Sequence, residues 1–101
     1  MNYRVVFSPE AREDLFQIYS YIASQGFPDR AFEYICRIEE FCLSFRTFPY
    51  RGNPADQYRP GIRTVGFERR IEIAFEVTPA GVVIYRVLYG GRNLEGVFPA
   101  D

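Results

Sequence analysis

The hydrophobic period of this chain changes once, at a loop that separates a helical half from a strand half. Residues 49–61 contain three prolines and two glycines without any hydrophobic period, which predicts an irregular loop. Before this loop apolar residues recur at helical spacing, and after it they alternate as in strands. This segregation predicts one α+β domain spanning residues 1–101, in which helices pack on a small antiparallel sheet.

Two helices are predicted before the loop. Ser8 can cap a helix that Pro9 opens and that ends near Gly26, and a second helix runs from Pro28 to Phe48. Because the link between them is so short, they form an antiparallel hairpin. Polar residues, Asp14 among them, are expected on the faces away from the core. The predicted core positions are Ala11, Leu15, Ile18, Tyr19 and Ile22 on the first helix, and Ala31, Ile35, Ile38, Cys42 and Phe45 on the second.

A short N-terminal strand (residues 3–7) and a three-strand meander (residues 62–67, 70–77 and 82–89) complete the predicted fold. The turn after Thr78 fits a three-residue hairpin loop, which places Thr78 opposite Val82. That register puts Tyr85 and Tyr89 on the sheet face that meets the helices. It puts Arg86 on the other face, diagonal to two glutamates, Glu72 and Glu76.

Arg86 is the only charge in an otherwise apolar strand, and two interpretations follow. As a structural residue it pairs across the strand with Glu72 or Glu76. As a functional residue it joins Arg63 and Arg92 in an arginine cluster that faces an anionic partner.

A second candidate surface lies on the helical hairpin. Some apolar side chains fall more than a quarter turn from the core stripes, and they either pack between elements or form a groove for a partner's helix. The residues of this candidate surface are Phe16, Tyr21, Phe32, Cys36 and Leu43.

The composition limits the chemistry that the chain can perform. All twelve basic residues are arginine, and the chain has no histidine, so proton transfer would depend on Tyr, Asp, Glu or Cys. No motif for a metal, a cofactor or an activated nucleophile is present, so neither a metal nor a cofactor is expected. Cys36 and Cys42 are too far apart around their helix to form a disulfide, and no leader or membrane segment is evident, which predicts a cytoplasmic protein. The net charge of −1 does not favour non-specific binding to nucleic acid.

Three segments, in this order, resemble the ParE-type toxins of the RelE/ParE superfamily. They are YRVVFSPEA at residues 3–11 followed by Asp14-Leu15, the strand start RPGIR at residues 59–63, and IYRVLYGGR at residues 84–92. The resemblance implies a toxin of a type II toxin–antitoxin system that inhibits DNA gyrase, without a hydrolytic site, and that a ParD-like ribbon-helix-helix antitoxin neutralises in a hetero-oligomeric complex. It implies Arg63, Arg86, Tyr89 and Arg92 as target-binding residues and the hairpin surface as the antitoxin-binding site.

Two alternatives remain at this stage. RelE-type relatives cut messenger RNA on the ribosome, and here Arg63 and Arg86 match two of their arginines. Their loop lysines have no match, however, Tyr89 stands where many ParE relatives have histidine, and no catalytic tyrosine is placed within residues 93–98. The other alternative is an antitoxin-binding module that has lost its toxicity.

Overall fold

A computed structural model of the chain describes residues 2–91 and 94. Within this range two helices pack on a five-stranded sheet with the order β1-β5-β4-β3-β2. The central strands pair antiparallel, whereas β1 runs parallel to β5, so the sheet is mixed rather than purely antiparallel. The predicted α+β architecture is confirmed. The elements are β1 (Val5–Phe7), α1 (Pro9–Ser24), α2 (Pro28–Leu43), a 3₁₀ turn (Ser44–Arg46), β2 (Asn53–Pro54), β3 (Ile62–Phe67), β4 (Ile71–Thr78) and β5 (Gly81–Tyr89).

Helix α1 begins where the sequence predicts, and Ser8 explains why. The Ser8 hydroxyl accepts a hydrogen bond from the Ala11 amide at 3.0 Å, and Pro9 occupies the start of the helix, where its missing N–H costs nothing. The same hydroxyl donates to the Tyr85 carbonyl at 2.8 Å, and the Ser8 amide donates to the Ile84 carbonyl at 2.9 Å. One residue therefore both starts α1 and ties it to β5.

Helix α2 ends at Leu43, five residues before the predicted end at Phe48. The Ser44 hydroxyl donates to the Phe41 carbonyl and accepts from Arg51 at 2.6 Å, and the chain tightens into the 3₁₀ turn. A serine that bonds back to the preceding turn competes with regular helical geometry, which accounts for the early end. Phe45 still reaches the core and is fully buried.

The main core lies between the helical hairpin and one face of the sheet, which we call the inner face. Burial of a large apolar side chain contributes about 1.5–3 kcal/mol, so these side chains dominate the stability of the fold. The predicted helical core positions are confirmed as buried, except that Tyr19, Ile22 and Ile35 are half-buried. Fully buried core residues include Ile38, Phe45, Ile73, Phe75 and Val87.

The register between β4 and β5 changes at a β-bulge. Ile71 pairs with Tyr89 and Ala74 with Arg86, as predicted, but the bulge then shifts the pairing by one residue, so that Thr78 lies opposite Gly81 rather than Val82. The extra residue is Tyr85. The predicted position of Tyr85 on the inner face is therefore wrong, because a bulge turns neighbouring side chains to the same side, here the outer face.

The close approach of β1 explains the shifted end of this hairpin. Gly81 has a φ of 143°, and a β-carbon at this position would overlap the Arg4 carbonyl of the neighbouring chain segment. The Thr78 hydroxyl also closes the turn, since it donates to the Gly81 carbonyl at 3.0 Å and accepts from the Ala80 amide at 3.2 Å. The register predicted from the β4–β5 hairpin alone differs at this end because it does not take the contact with β1 into account.

No helix in the described range has both the length and the apolar character that crossing a membrane requires.

Candidate functional site

The edge of β5 is completed by an acidic side chain from α1. β1 pairs with β5 only as far as Ile84, and beyond that point Asp14 takes the place of a neighbouring strand. Its carboxylate accepts a hydrogen bond from the Val87 amide at 2.9 Å and two from Arg86, from Nε at 2.7 Å and from Nη2 at 2.9 Å. Asp14 is only 8% exposed. This interaction joins α1 to the sheet.

The Asp14–Arg86 pair corrects two predictions. Arg86 pairs neither with Glu72 nor with Glu76, and Asp14 does not face solvent. The hydrogen bonds that Arg86 donates to Asp14 raise the pKa of its guanidinium. Local sequence patterns do not predict this pairing, because the partners are 72 positions apart and a bulge precedes Arg86. The sequence signal for Asp14 is the Asp14-Leu15 pair after the helix cap, which is part of the family resemblance.

Arg63 lies apart from Arg86. Arg63 pairs with Phe75 of β4, and Arg86 pairs with the adjacent residue, Ala74, so the two arginines start from opposite faces of the sheet. Arg63 donates from Nε to the Arg51 carbonyl at 3.0 Å. The structure therefore does not bring the two into one cluster, and Arg92, the third predicted member, lies outside the described residues.

A polar network that the sequence did not predict covers part of the outer face. The Tyr85 hydroxyl donates to Glu76 Oε1 at 3.0 Å, and Arg59 Nη2 lies 3.7 Å from the same oxygen. The Arg59 guanidinium also lies over the Tyr85 ring, 4.6 Å from its centre. Burial, followed by the bond to Glu76, raises the pKa of Tyr85, so its hydroxyl stays a proton donor at neutral pH. The network ties the loop after β2 to the sheet.

A cleft of about 430 Å³ opens between α1 and the end of β5, and we call it the β5 cleft. Tyr89, a predicted target-binding residue, lies here with Tyr21, a predicted antitoxin-binding residue, and their ring centres are 6.1 Å apart. Polar groups from Asp14 and the exposed Arg70 complete its wall. The cleft therefore combines aromatic surface with a cation. Its lining residues are Asp14, Gln17, Ile18, Tyr21, Arg70, Val87, Tyr89 and Gly90.

A second, shallower depression of about 260 Å³ lies between α1 and α2, and we call it the hairpin groove. Phe16 and Phe32 line it and are 61% and 63% exposed, so two aromatic rings face solvent side by side in one depression. Of the other residues predicted for this surface, Leu43 is exposed and Cys36 is half-buried, but neither lines the groove. The groove is lined by Arg12, Leu15, Phe16, Tyr19, Phe32, Ile35 and Glu39.

The described residues include no cluster of three or more His, Cys, Asp or Glu side chains placed to hold a metal ion.

Comparison with known proteins gives a family match and several solved structures of similar fold, two of which are named below. The family described as "ParE toxin of type II toxin-antitoxin system, parDE" matches residues 5–94. The fold is similar to a chain of the chromosomal ParDE toxin–antitoxin system of Pseudomonas aeruginosa, with a TM-score of 0.75 and 23% identity over 86% of this chain and 95% of that one. It is also similar to a chain of the toxin–antitoxin complex RelBE2 of Mycobacterium tuberculosis, with a TM-score of 0.68 and 22% identity over 89% of this chain and 100% of that one. The sequence has no significant match among curated proteins.

Proposed function

Because this chain belongs to the ParE toxin family of type II toxin–antitoxin systems, we propose that it acts in the cytoplasm by inhibiting DNA gyrase, and that a ParD-like ribbon-helix-helix antitoxin neutralises it. The observation that carries the proposal is the family match, which spans residues 5–94 and so includes both helices and every strand. The likeness to a ParDE chain supports the same fold.

The intramolecular hydrogen bonds of Arg63 and Arg86 agree with a toxin that inhibits its target by binding rather than by hydrolysis. Arg86 gives two of its donors to Asp14, and Arg63 donates to backbone carbonyls. The full sequence also contains neither histidine nor lysine, the usual proton-transfer groups that act near neutral pH. These features favour a toxin that works by occupying its target.

Gyrase is the proposed target, and its DNA cleavage reaction tests the proposal. Purified toxin added to gyrase, ATP and supercoiled plasmid should increase the linear DNA that is recovered after denaturation and protease treatment. Heat-unfolded toxin is the control. An unchanged yield of linear DNA at micromolar toxin would contradict a gyrase target.

The hairpin groove is the proposed site for the antitoxin. An amphipathic helix can insert apolar side chains between Phe16 and Phe32, since exposed aromatic rings lining a groove are typical of helix-in-groove recognition. Arg12 and Glu39 at the lining supply charges of both signs for polar contacts at the rim.

Substitution of the groove aromatics tests this assignment. Phe16→Arg or Phe32→Arg should weaken antitoxin binding about 30-fold or more, because a central aromatic contact typically contributes about 2 kcal/mol or more. Phe48→Arg is the matched control, since Phe48 is 68% exposed but does not line the groove. Titration calorimetry measures all three. Equal antitoxin affinities for the groove variants and the control variant would show that the antitoxin does not bind in the hairpin groove.

A ribosome-dependent endoribonuclease is the second candidate, favoured by the likeness to the RelBE2 chain. In that case either Arg63 or Arg86 would stabilise the phosphate charge at the cleaved bond, since the two start from opposite faces of the sheet. Primer extension on messenger RNA from induced cells would then show cuts in phase with the reading frame. One of the two substitutions, Arg63→Ala or Arg86→Ala, should abolish these cuts if the activity exists. Uncut messenger RNA in growth-arrested cells would exclude this mechanism.

A further inference from the structure

The turn between β3 and β4 is held in a strained conformation that presents two arginines. Glu68 and Arg69 have positive φ angles of 49° and 67°, a region that Gly and Asn enter more readily than these residues do. Arg37 of α2 holds the turn, since its Nε and Nη2 donate to the two carboxylate oxygens of Glu68 at 2.9 and 3.1 Å. The backbone that precedes Arg70 is therefore fixed by a contact from outside the sheet.

Arg70 follows this turn and lines the β5 cleft. Its carbonyl accepts a hydrogen bond from the Gly90 amide at 3.0 Å, which fixes its backbone against the end of β5. Its side chain is exposed and makes no hydrogen bond or ion pair with any residue in the described part of the chain. The other charge in the cleft, Asp14, is already neutralised by Arg86. Among the described residues, Arg70 is thus a cation of the β5 cleft without an acidic partner, and it lines the same cleft as Tyr21 and Tyr89.

The β5 cleft and the hairpin groove lie on opposite sides of α1. The cleft is lined by α1 residues 14, 17, 18 and 21, and the groove by residues 12, 15, 16 and 19. Each set follows helical spacing, and positions two apart in a helix are separated by about 200° around the axis. The two surfaces also share no residue. One helix therefore separates an apolar surface from a cationic one, and the two surfaces suit different partners.

We propose that the β5 cleft binds an acidic segment of the toxin's protein target, with a carboxylate on Arg70 and an adjacent apolar side chain against Tyr21 and Tyr89. A guanidinium matches a carboxylate with two parallel hydrogen bonds, and tyrosines offer rigid contact area at binding sites. This inference rests on one part of the proposed function, namely that the toxin acts by binding a protein. It does not require that the protein be gyrase.

A carboxylate suits this cleft better than a nucleic-acid phosphate. Arg70 is the only arginine among the described residues that line the β5 cleft, since its neighbour Arg69 does not line it, and the chain has a net charge of −1. Binding to a nucleic-acid backbone depends on several cations acting together. Arginine and tyrosine side chains together are typical of the residues that dominate binding at protein–protein interfaces.

The test compares two neighbouring arginines in growth arrest, gyrase cleavage and antitoxin binding. Arg70→Gln removes the cation of the cleft, whereas Arg69→Gln removes the same charge one position earlier, from a residue that does not line it. Arg70→Gln should raise the toxin concentration that gives half-maximal gyrase cleavage at least about tenfold, and induction should no longer arrest growth. Arg69→Gln should match the wild type in both assays, and both variants should bind the antitoxin with wild-type affinity.

The outcomes separate this inference from the gyrase proposal. If the wild type arrests growth without affecting gyrase while Arg70→Gln is harmless, gyrase is the wrong target and the cleft assignment stands. If Arg70→Gln is as potent as the wild type, the cleft assignment is wrong but the gyrase proposal is unaffected. The same holds if Arg69→Gln loses as much toxin activity as Arg70→Gln. Weakened antitoxin binding by Arg70→Gln would assign the cleft to the antitoxin instead. If the toxin binds a plasmid fragment without gyrase and this binding depends on Arg70, the ligand is a phosphate and the cleft assignment is overturned. A wild-type toxin that is inactive in both assays would overturn both proposals.

Discussion

Asp14 is the residue on which the join between α1 and the sheet depends. Its carboxylate accepts three hydrogen bonds, two from a guanidinium and one from a strand amide that has no strand beside it. Without Asp14, the Val87 amide and part of Arg86 would stay buried without partners, and burial of unpaired polar groups is costly. The residue that the sequence suggested as a solvent-facing acid is thus a structural one.

Replacement of Asp14 tests this role. Asp14→Ala should lower the free energy of unfolding by about 2–3 kcal/mol, since hydrogen bonds to charged groups contribute about 1.5–3 kcal/mol. The neighbouring Glu13→Ala should change it by less than about 0.5 kcal/mol, because Glu13 is exposed. Urea unfolding followed by circular dichroism measures both variants. Equal stabilities would show that Asp14 does not hold α1 to the sheet.

The two cysteines of α2 differ in the reactivity that the fold allows. Burial raises the pKa of Cys42 to about 12, so almost none of its reactive thiolate form is present near neutral pH. Cys36 is half-buried on the same helix. Iodoacetamide at pH 8 should therefore modify one thiol of the native protein and both thiols in denaturant, as read by mass spectrometry. The Cys36→Ser variant should stay unmodified while native, and rapid modification of its Cys42 would mean that the core opens.

At the scale of elements, the turn between β3 and β4 depends on an ion pair from α2. Arg37 lowers the pKa of Glu68 through their hydrogen bonds. The stabilisation is therefore fully present above the ordinary glutamate pKa of about 4.3, and it is lost as the pH falls through the lowered value. Because both side chains are exposed, the effect on global stability is small, and the local titration is the sensitive measure.

A carboxyl titration followed by NMR tests this pairing. In the wild type the Glu68 midpoint should lie below that of an ordinary glutamate, and in Arg37→Gln it should return toward it. Arg30→Gln is the control, since Arg30 lies on the same helix and forms no ion pair with the described residues. A Glu68 midpoint that does not respond to Arg37→Gln would show that the turn is held by its own backbone.

Local patterns predicted the elements of this fold well. Ser8 and Pro9 marked the start of α1, and alternation located β4 and β5. The predictions fail where a contact distant in sequence decides the geometry. The bulge at Tyr85 accompanies the approach of β1 to Gly81. Asp14 is predicted to face solvent, but its partner lies on β5. The hairpin groove rings were predicted from their offset around the helices and are exposed, whereas the β5 cleft depends on Arg70, which no local pattern distinguished.

At the scale of the whole molecule, α1 separates two surfaces of different chemistry. The hairpin groove presents exposed aromatic rings, and the β5 cleft is lined by a cation and two tyrosines. Under the two proposed assignments, the antitoxin and the target bind through separate side chains. Steric overlap between the two bound partners, rather than competition for the same residues, would then explain neutralisation.

The most direct measurement is gyrase supercoiling of relaxed plasmid in the presence of the toxin and increasing antitoxin. We expect the toxin alone to inhibit supercoiling, and antitoxin to restore it fully near stoichiometric amounts. Restoration should need a clear excess of antitoxin for Phe32→Arg, because the loss of a hot-spot contact of about 2 kcal/mol weakens binding about 30-fold. Supercoiling that the wild-type toxin leaves unchanged, or inhibition that excess antitoxin does not reverse, would contradict the proposed function.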